Sequence, residues 1–175
     1  MKIALERGVP DLILLQDDLE ICKNGGEVMD KAIVPDNCIA TTFCSAHALP
    51  GFQTNDKGKP RYIVIGAMGT AQGLKIPRRS LEYLCVLDPL KAHNIPPLEP
   101  HLFDDTLFAY ARISPTQHVA HLVPNVIRHV GKVSACGSRN SIRPDWVLGR
   151  HEEFPADPTQ LPSHVTYYER PAVYP

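Results

Sequence analysis

Short apolar runs bounded by polar, glycine or proline residues recur along the chain and predict β-strands. The first covers residues 12–16, the second residues 38–44 and the third residues 62–65. Runs of this length are too short for a typical helix, and the second is rich in β-branched residues. We expect the first run to be a buried strand of a parallel sheet, because four consecutive apolar residues leave it no polar face.

Helical patterns alternate with these runs. A helix over residues 3–8 is expected to end at Gly8, a residue type that favours helix termination. Pro77 fits the first position of another helix, whose apolar face would comprise Leu81, Leu84 and Cys85. Further elements are predicted at residues 27–31 (helix), 105–113 (helix) and 117–128 (a strand interrupted at Pro124). The pattern therefore predicts an α/β fold with a mixed, mainly parallel open sheet flanked by helices.

The final segment has a different composition. Residues 141–175 contain six prolines and little apolar periodicity, which is typical of an extended, poorly packed tail. We therefore divide the chain into a domain at residues 1–140 and a Pro-rich extended tail at residues 141–175. Trp146 and the pair Tyr167 and Tyr168 could still dock this tail onto the domain or a partner.

Composition and charge narrow the class of protein. The 175 residues suffice for one domain, and 18 Lys and Arg almost balance 19 Asp and Glu. Nothing in this charge favours nucleic acid or an anionic membrane as a partner. The chain shows no apolar run of transmembrane length and no signal-peptide pattern at its start, so we expect a cytoplasmic protein.

The five cysteines form no CxxC pair. Their number and spacing argue against a disulfide scaffold and against a zinc knuckle. Cys38, Cys44 and Cys85 lie in apolar surroundings, and we expect them to be reduced core residues.

Two adjacent carboxylates, Asp17 and Asp18, follow the first predicted strand. Ligands of open α/β sheets bind in the crevice beyond the carboxyl ends of the strands. Carboxylates at that point suit a divalent cation, which takes hard oxygen ligands and can bring a phosphate with it. The spacing alone is equally compatible with a turn or a helix cap.

Four motifs in order resemble the GT-A-fold glycosyltransferases often found in phages and bacteria. They are an acid pair ending a strand, a Gly-rich segment leading into a Pro-Arg helix start, a central acid pair, and a closing segment with a Pro-to-His-to-Gly order. In this chain they occupy residues 14–18, 71–78, 103–105 and 123–134. The resemblance spans roughly residues 3–134 and implies a partial GT-A-like domain.

The resemblance implies roles for individual residues. Gln16, Asp17 and Asp18 resemble the family's donor-binding DxD-type motif, with Asp18 nearest a Mn²⁺ or Mg²⁺ ion that bridges the diphosphate of a nucleotide-sugar. His129 resembles the histidine that completes this metal site. Asp105, or its neighbour Asp104, resembles the catalytic base of inverting members; the alternative is a helix N-cap pair, and one residue could be the cap while the other faces the cleft. Candidates for contacts with donor, phosphate or acceptor are Gly66, Gly69, Arg78, Arg79 and Lys132, for each of which a plain loop or solvated surface is the alternative.

Several alternatives stay open. Only a short helix precedes the acid strand, whereas the family carries earlier βα units. We therefore expect a truncated gene product, dependence on a partner subunit or self-association, or loss of donor binding. The closing motif has Asn125 where serine is usual, and Arg128 before the histidine. A catalytically inactive remnant that binds a sugar or a protein would fit, and so would a two-metal nuclease or phosphatase using both acid pairs. The acceptor hydroxyl could belong to a glycan, a protein or a modified nucleobase.

Overall fold

The computed structural model describes residues 1–16, 19–44, 61–65, 73–87, 118–123, 125–129, 161 and 165–168. Its helices are α1 (Lys2–Glu6), α2 (Gly25–Lys31) and α3 (Arg78–Glu82), the last continued by a π-helical turn, Tyr83–Leu87. The strands in chain order are β1 (Asp11–Leu15), β2 (Leu19–Ile21), β3 (Cys38–Thr42), β4 (Arg61–Ile65), β5 (Gly73–Pro77), β6 (His118–Val123), β7 (Ile127–His129) and β8 (Val165–Tyr168).

Six of the strands form a mixed sheet in the order β1-β5-β3-β6-β4-β8, and β2 pairs with β7 in a separate two-stranded sheet. The predicted mixed α/β sheet is confirmed, but its mainly parallel character is not. Within the described chain, only the β3/β6 and β4/β8 ladders are parallel, whereas β1/β5, β3/β5 and β4/β6 are antiparallel. Strand β5 lies between β1 and β3 and runs in the opposite direction to both.

The expectation that β1 is a fully buried strand is wrong. Among the described strands β1 pairs only with β5, and its five residues are half-buried or exposed. It nevertheless runs in the same direction as β3 and β6, because both β1 and β3 are antiparallel to β5. The carboxyl ends of β1, β3 and β6 therefore point to the same edge of the sheet.

Apolar clusters cover both faces of the sheet. On one face, Leu74 and Ile76 of β5 pack with residues of α1 and α3. Lys75 between them faces the other side, where its ammonium group donates a hydrogen bond to the carbonyl of Asp30 in α2. The cluster on this second face joins α2 to the sheets through Val28, Met29, Ala32, Phe43, Tyr62, Leu122, Val126 and Ile127. Side chains of β5 thus point alternately to the two faces of the sheet, each of which is covered by its own apolar cluster.

Most local predictions in the described residues hold. Gly8 follows α1 with a positive φ of 69°, and β3 and β4 lie where the apolar runs predict strands. Pro77 is the N-cap of α3 rather than its first residue. Among the described cysteines none forms a disulfide; Cys38 and Cys44 are buried as expected, whereas Cys85 is only half-buried. The predicted helix at residues 105–113 lies outside the described residues.

Part of the C-terminal segment joins the core structure. Residues Val165–Tyr168 form β8, which pairs in parallel with β4, and Leu161 packs against the cluster next to α2. The remaining residues of the predicted tail, including Trp146, lie outside the described part. Within the described part of the chain, the helices are too short to cross a membrane.

Candidate functional site

The carboxyl ends of three same-direction strands meet around Gly73. Leu15, the last residue of β1, stands opposite Gly73 at the start of β5. The backbone N–H of Phe43, directly after β3, donates to the Gly73 carbonyl at 2.9 Å. The N–H of Val126, which follows β6 in the chain, donates to the Phe43 carbonyl at 3.0 Å. This is the edge at which an open α/β sheet binds its ligands.

The small sheet lies at the same edge. Its two strands are antiparallel, with Leu19 opposite His129, Glu20 opposite Arg128 and Ile21 opposite Ile127. Paired Cα atoms in such a ladder are about 4.5–5.5 Å apart. Leu19 is the residue that follows Asp18 in the chain. The acid pair is thus joined by one peptide bond to the residue that stands opposite His129.

The acid pair itself lies outside the described residues, between the described Gln16 and Leu19. Gln16 is exposed at the end of β1, where a ligand can reach it. The chain therefore leaves the six-stranded sheet at Gln16 and enters the two-stranded sheet at Leu19, at the edge where the three strands end.

Arg78 is not brought to this edge. Its N–H donates to the carbonyl of Pro10 at 2.8 Å, and its guanidinium pairs with Glu82 of the same helix at 2.9 Å. Asp11, which starts β1, stands opposite Pro77. Leu15 lies four residues further along β1 than Asp11, a distance of roughly 13 Å at the usual rise of a strand. Arg78 therefore lies far from the start of the acid segment.

Arg79 has a structural role. One nitrogen of its guanidinium, Nη2, donates to the carbonyls of Val34, Pro35 and Cys38 at 3.1, 2.7 and 3.4 Å. These contacts hold the loop between α2 and β3, at the end of the sheet opposite the acid segment. Its guanidinium therefore serves backbone carbonyls at that end of the sheet.

The other predicted site residues are only partly covered. Asp104, Asp105, Gly66, Gly69 and Lys132 lie outside the described residues, and for His129 the structure gives the backbone position in β7. Within the ranges that are described, no three His, Cys, Asp or Glu side chains group so that they could hold a metal ion.

Two residues of β5 have roles that sequence patterns do not assign. Lys75 is buried, with an exposed fraction of 7%, and lies 3.5 Å from a carboxylate oxygen of Asp11. Its bond to the Asp30 carbonyl ties the last turn of α2 to β5. Gly73 lies where β1 and the residue after β3 both contact the start of β5. The only sequence signal for either is the alternation of Leu74, Lys75 and Ile76, which marks a strand with two different faces.

The described ionisable groups with shifted pKa values lie away from the acid segment or have a structural role. Burial raises the pKa of the Cys38 thiol to about 12, although the Arg79 guanidinium lowers it in part. A thiol with this pKa is protonated at neutral pH and is not a nucleophile. Burial also raises the pKa of Tyr62, whose hydroxyl oxygen accepts a hydrogen bond from the Ile33 N–H at 2.9 Å.

Comparison of the chain with protein families, curated proteins and solved structures gives no match.

Proposed function

We propose that the protein is a metal-dependent glycosyltransferase that moves a sugar from a nucleotide-sugar donor to an acceptor hydroxyl. The observation that carries the proposal is the pairing of Leu19 with His129. It supports a shared site because the residue following Asp18 lies beside the histidine that the motif order predicts as a metal ligand.

The donor set fits a divalent cation. Carboxylates from Asp17 and Asp18 would supply hard oxygen ligands, and an imidazole from His129 would add the nitrogen that suits Mn²⁺. Bound there with the donor, the cation would neutralise negative charge that grows on the leaving diphosphate. Gln16, exposed beside the acid pair, and Gly69 are the further donor-binding candidates. Arg78 is not part of the proposal, because it lies at the other end of β1.

The transfer itself requires a base. Asp105, or its neighbour Asp104, takes the proton of the acceptor hydroxyl as that oxygen attacks the anomeric carbon. A new carbon–oxygen bond forms on one face of the sugar while the bond to the diphosphate oxygen breaks on the other. The products are an inverted glycoside, a nucleoside diphosphate and a protonated aspartate.

Metal binding and donor turnover test the proposal together. Mn²⁺ affinity is measured for the wild-type protein and for Asp18→Asn and His129→Gln, followed by release of nucleoside diphosphate from a panel of UDP- and GDP-sugars. Each variant should lose at least the roughly 10–100-fold in affinity that removal of an outer-shell partner costs.

The controls change the same residue types at the opposite end of the sheet. Asp36→Asn alters an exposed aspartate just before β3, and His118→Gln alters the first residue of β6. Both should keep wild-type affinity. Mn²⁺ binding without turnover of any donor would favour the inactive remnant that acts as a binding module. Absence of specific Mn²⁺ binding would overturn the metal site and the transferase.

A further inference from the structure

We propose that the outer edge of β1 binds a second copy of this chain, whose own β1 adds antiparallel to the first and joins the two six-stranded sheets. The pairing is centred on Ile13, which stands opposite Ile13 of the second copy. This inference does not depend on the proposed function, because it concerns the edge of the sheet and not the acid segment.

Hydrogen bonds at both ends of β5 show which backbone groups of β1 face outward. The Arg78 N–H donates to the Pro10 carbonyl at 2.8 Å, so these two residues, which stand opposite each other just before the Asp11/Pro77 pair, form a hydrogen-bonded pair. Such pairs alternate with non-hydrogen-bonded pairs along an antiparallel ladder. The Gly73 carbonyl fits this alternation, because it accepts the Phe43 N–H from the β3 side. Every second residue of β1 therefore turns its N–H and C=O groups away from β5, namely Asp11, Ile13 and Leu15.

The outer side of β1 lies at the surface. In the described part of the chain, β1 ends the six-stranded sheet and pairs only with β5. All residues of β3 and β5 are buried, whereas those of β1 are half-buried or exposed, and Leu15 keeps an exposed fraction of 39%. A strand covered by another strand on this side would be buried like its neighbours. The outward N–H and C=O groups of β1 are thus open to a further strand.

This edge lacks the features that keep edge strands from pairing. Natural edge strands carry lysine, proline, a bulge or inward-pointing charges for this purpose. Residues 12–15 are all leucine or isoleucine, and their register with β5 runs without a bulge. Asp11, at the start of β1, is the one charged residue of the strand. The edge therefore favours pairing over solvation.

The partner that fits this edge is the same strand, turned by a two-fold axis. When two copies of β1 pair antiparallel about Ile13, each Ile13 exchanges two hydrogen bonds with the other, and Asp11 exchanges two with Leu15 at either end. All three outward N–H and all three outward C=O groups of each strand are then satisfied. A shift of this register by two residues leaves outward groups of β1 unpaired at its ends. A two-fold axis is also the commonest symmetry of protein assemblies.

Charge selects the antiparallel direction. A parallel pair in register would place the two Asp11 carboxylates directly opposite each other, and like charges in that position are destabilising. The antiparallel pair places each Asp11 opposite Leu15 of the other copy instead. Leu12 then lies opposite Leu14 on the other face of the joined sheet, so that apolar side chains meet there.

Two substitutions of Leu15 form a matched test of this surface. Leu15→Asp brings a carboxylate opposite Asp11 of the second copy at both ends of the pairing and should weaken dimerisation roughly tenfold or more. Leu15→Lys brings an ammonium group to the same place and should stay within roughly threefold of wild type, because it attracts Asp11. Sedimentation velocity over a wide range of protein concentration measures the affinity, and circular dichroism confirms that both variants are folded.

Amide hydrogen exchange tests the pairing residue by residue and needs no variant. In the dimer the N–H groups of Ile13 and Leu15 should exchange slowly, as those of Leu12 and Leu14 do through their bonds to β5. On dilution to the monomer, exchange at Ile13 and Leu15 should become fast, while Leu12 and Leu14 stay protected.

Three results would overturn the proposal. They are a wild-type protein that stays monomeric at every concentration, a dimer that both Leu15 variants form equally well, and a dimer in which Ile13 and Leu15 exchange fast. In the last two cases another surface joins the copies. If Leu15→Asp does not fold, the exchange pattern of the wild-type protein decides. None of these readouts involves Mn²⁺ or a sugar donor, so their failure would leave the proposed function untouched.

Discussion

Helix α2 begins at Gly25 in a space too small for a side chain, which makes Gly25→Ala a sensitive probe of the packing around the small sheet. A Cβ atom at this position would lie 2.5 Å from Ile21 Cγ2, 2.9 Å from Val126 Cγ1 and 3.0 Å from Cys22 Sγ. All three atoms belong to residues that flank or form the β2/β7 ladder. The substitution therefore pushes α2 and this ladder apart.

Two effects set the size of the change in stability. Overpacking a well-filled core costs typically about 1–3 kcal/mol. Replacing glycine by alanine in a helix returns up to about 1 kcal/mol, and less in the first turn. The net loss in the free energy of unfolding should be about 1–2 kcal/mol. For a chain of this size, that corresponds to a fall in Tm of roughly 2–8 °C.

The adjacent residue provides the control within the same helix. Gly26 is exposed, and no heavy atom lies within 4 Å of a Cβ built there. Gly26→Ala should be neutral or raise the free energy of unfolding by up to about 1 kcal/mol through helix propensity. Thermal and urea unfolding followed by circular dichroism measure both variants. A Gly25→Ala protein as stable as Gly26→Ala would refute the close packing of Ile21 and Val126 on α2.

Two further predictions concern buried groups away from the acid segment. Tyr62→Phe removes the acceptor of the Ile33 N–H and should cost about 1–2 kcal/mol in urea unfolding, because a part-buried donor loses its partner; an unchanged urea midpoint would contradict that hydrogen bond. Burial raises the pKa of the Cys38 thiol from 9.0 to about 12. The protonated thiol therefore contributes fully to the free energy of unfolding below pH 9, and this contribution is lost as the pH rises towards 12. Urea midpoints measured from pH 7 to 11 should fall less steeply for Cys38→Ala than for wild type, and equal slopes would refute this effect.

Elements whose signals are local were predictable from the sequence. The stop of α1 at Gly8 follows from the positive φ that glycine tolerates. Strand β4 follows from a compact apolar run with β-branched residues. The sequence pattern does not indicate strand β5, because Lys75 interrupts its apolar run and the run ends at Pro77. Only the structure shows that this lysine reaches across to α2.

Strand pairing and the composition of the site depend on distant contacts. The mainly parallel sheet was predicted from the apolar character of the runs, but pairing depends on which distant segments meet, and no local pattern encodes it. The predicted role of Arg78 as a donor ligand depends on the direction of β5, which no local pattern encodes. Since β5 runs antiparallel to β1, its end carries Arg78 back to the start of β1, away from Gln16. By contrast, the position of the acid pair after β1 follows from the chain order alone.

The most direct test of the shared site is the nitrogen hyperfine coupling of bound Mn²⁺, measured by pulsed electron paramagnetic resonance. If the acid segment and His129 hold one ion, wild-type protein shows coupling to an imidazole nitrogen. His129→Gln should lose that coupling, and Asp18→Asn should weaken the binding of the same ion. A bound Mn²⁺ ion with only oxygen ligands, or a nitrogen coupling that persists in His129→Gln, would contradict the account.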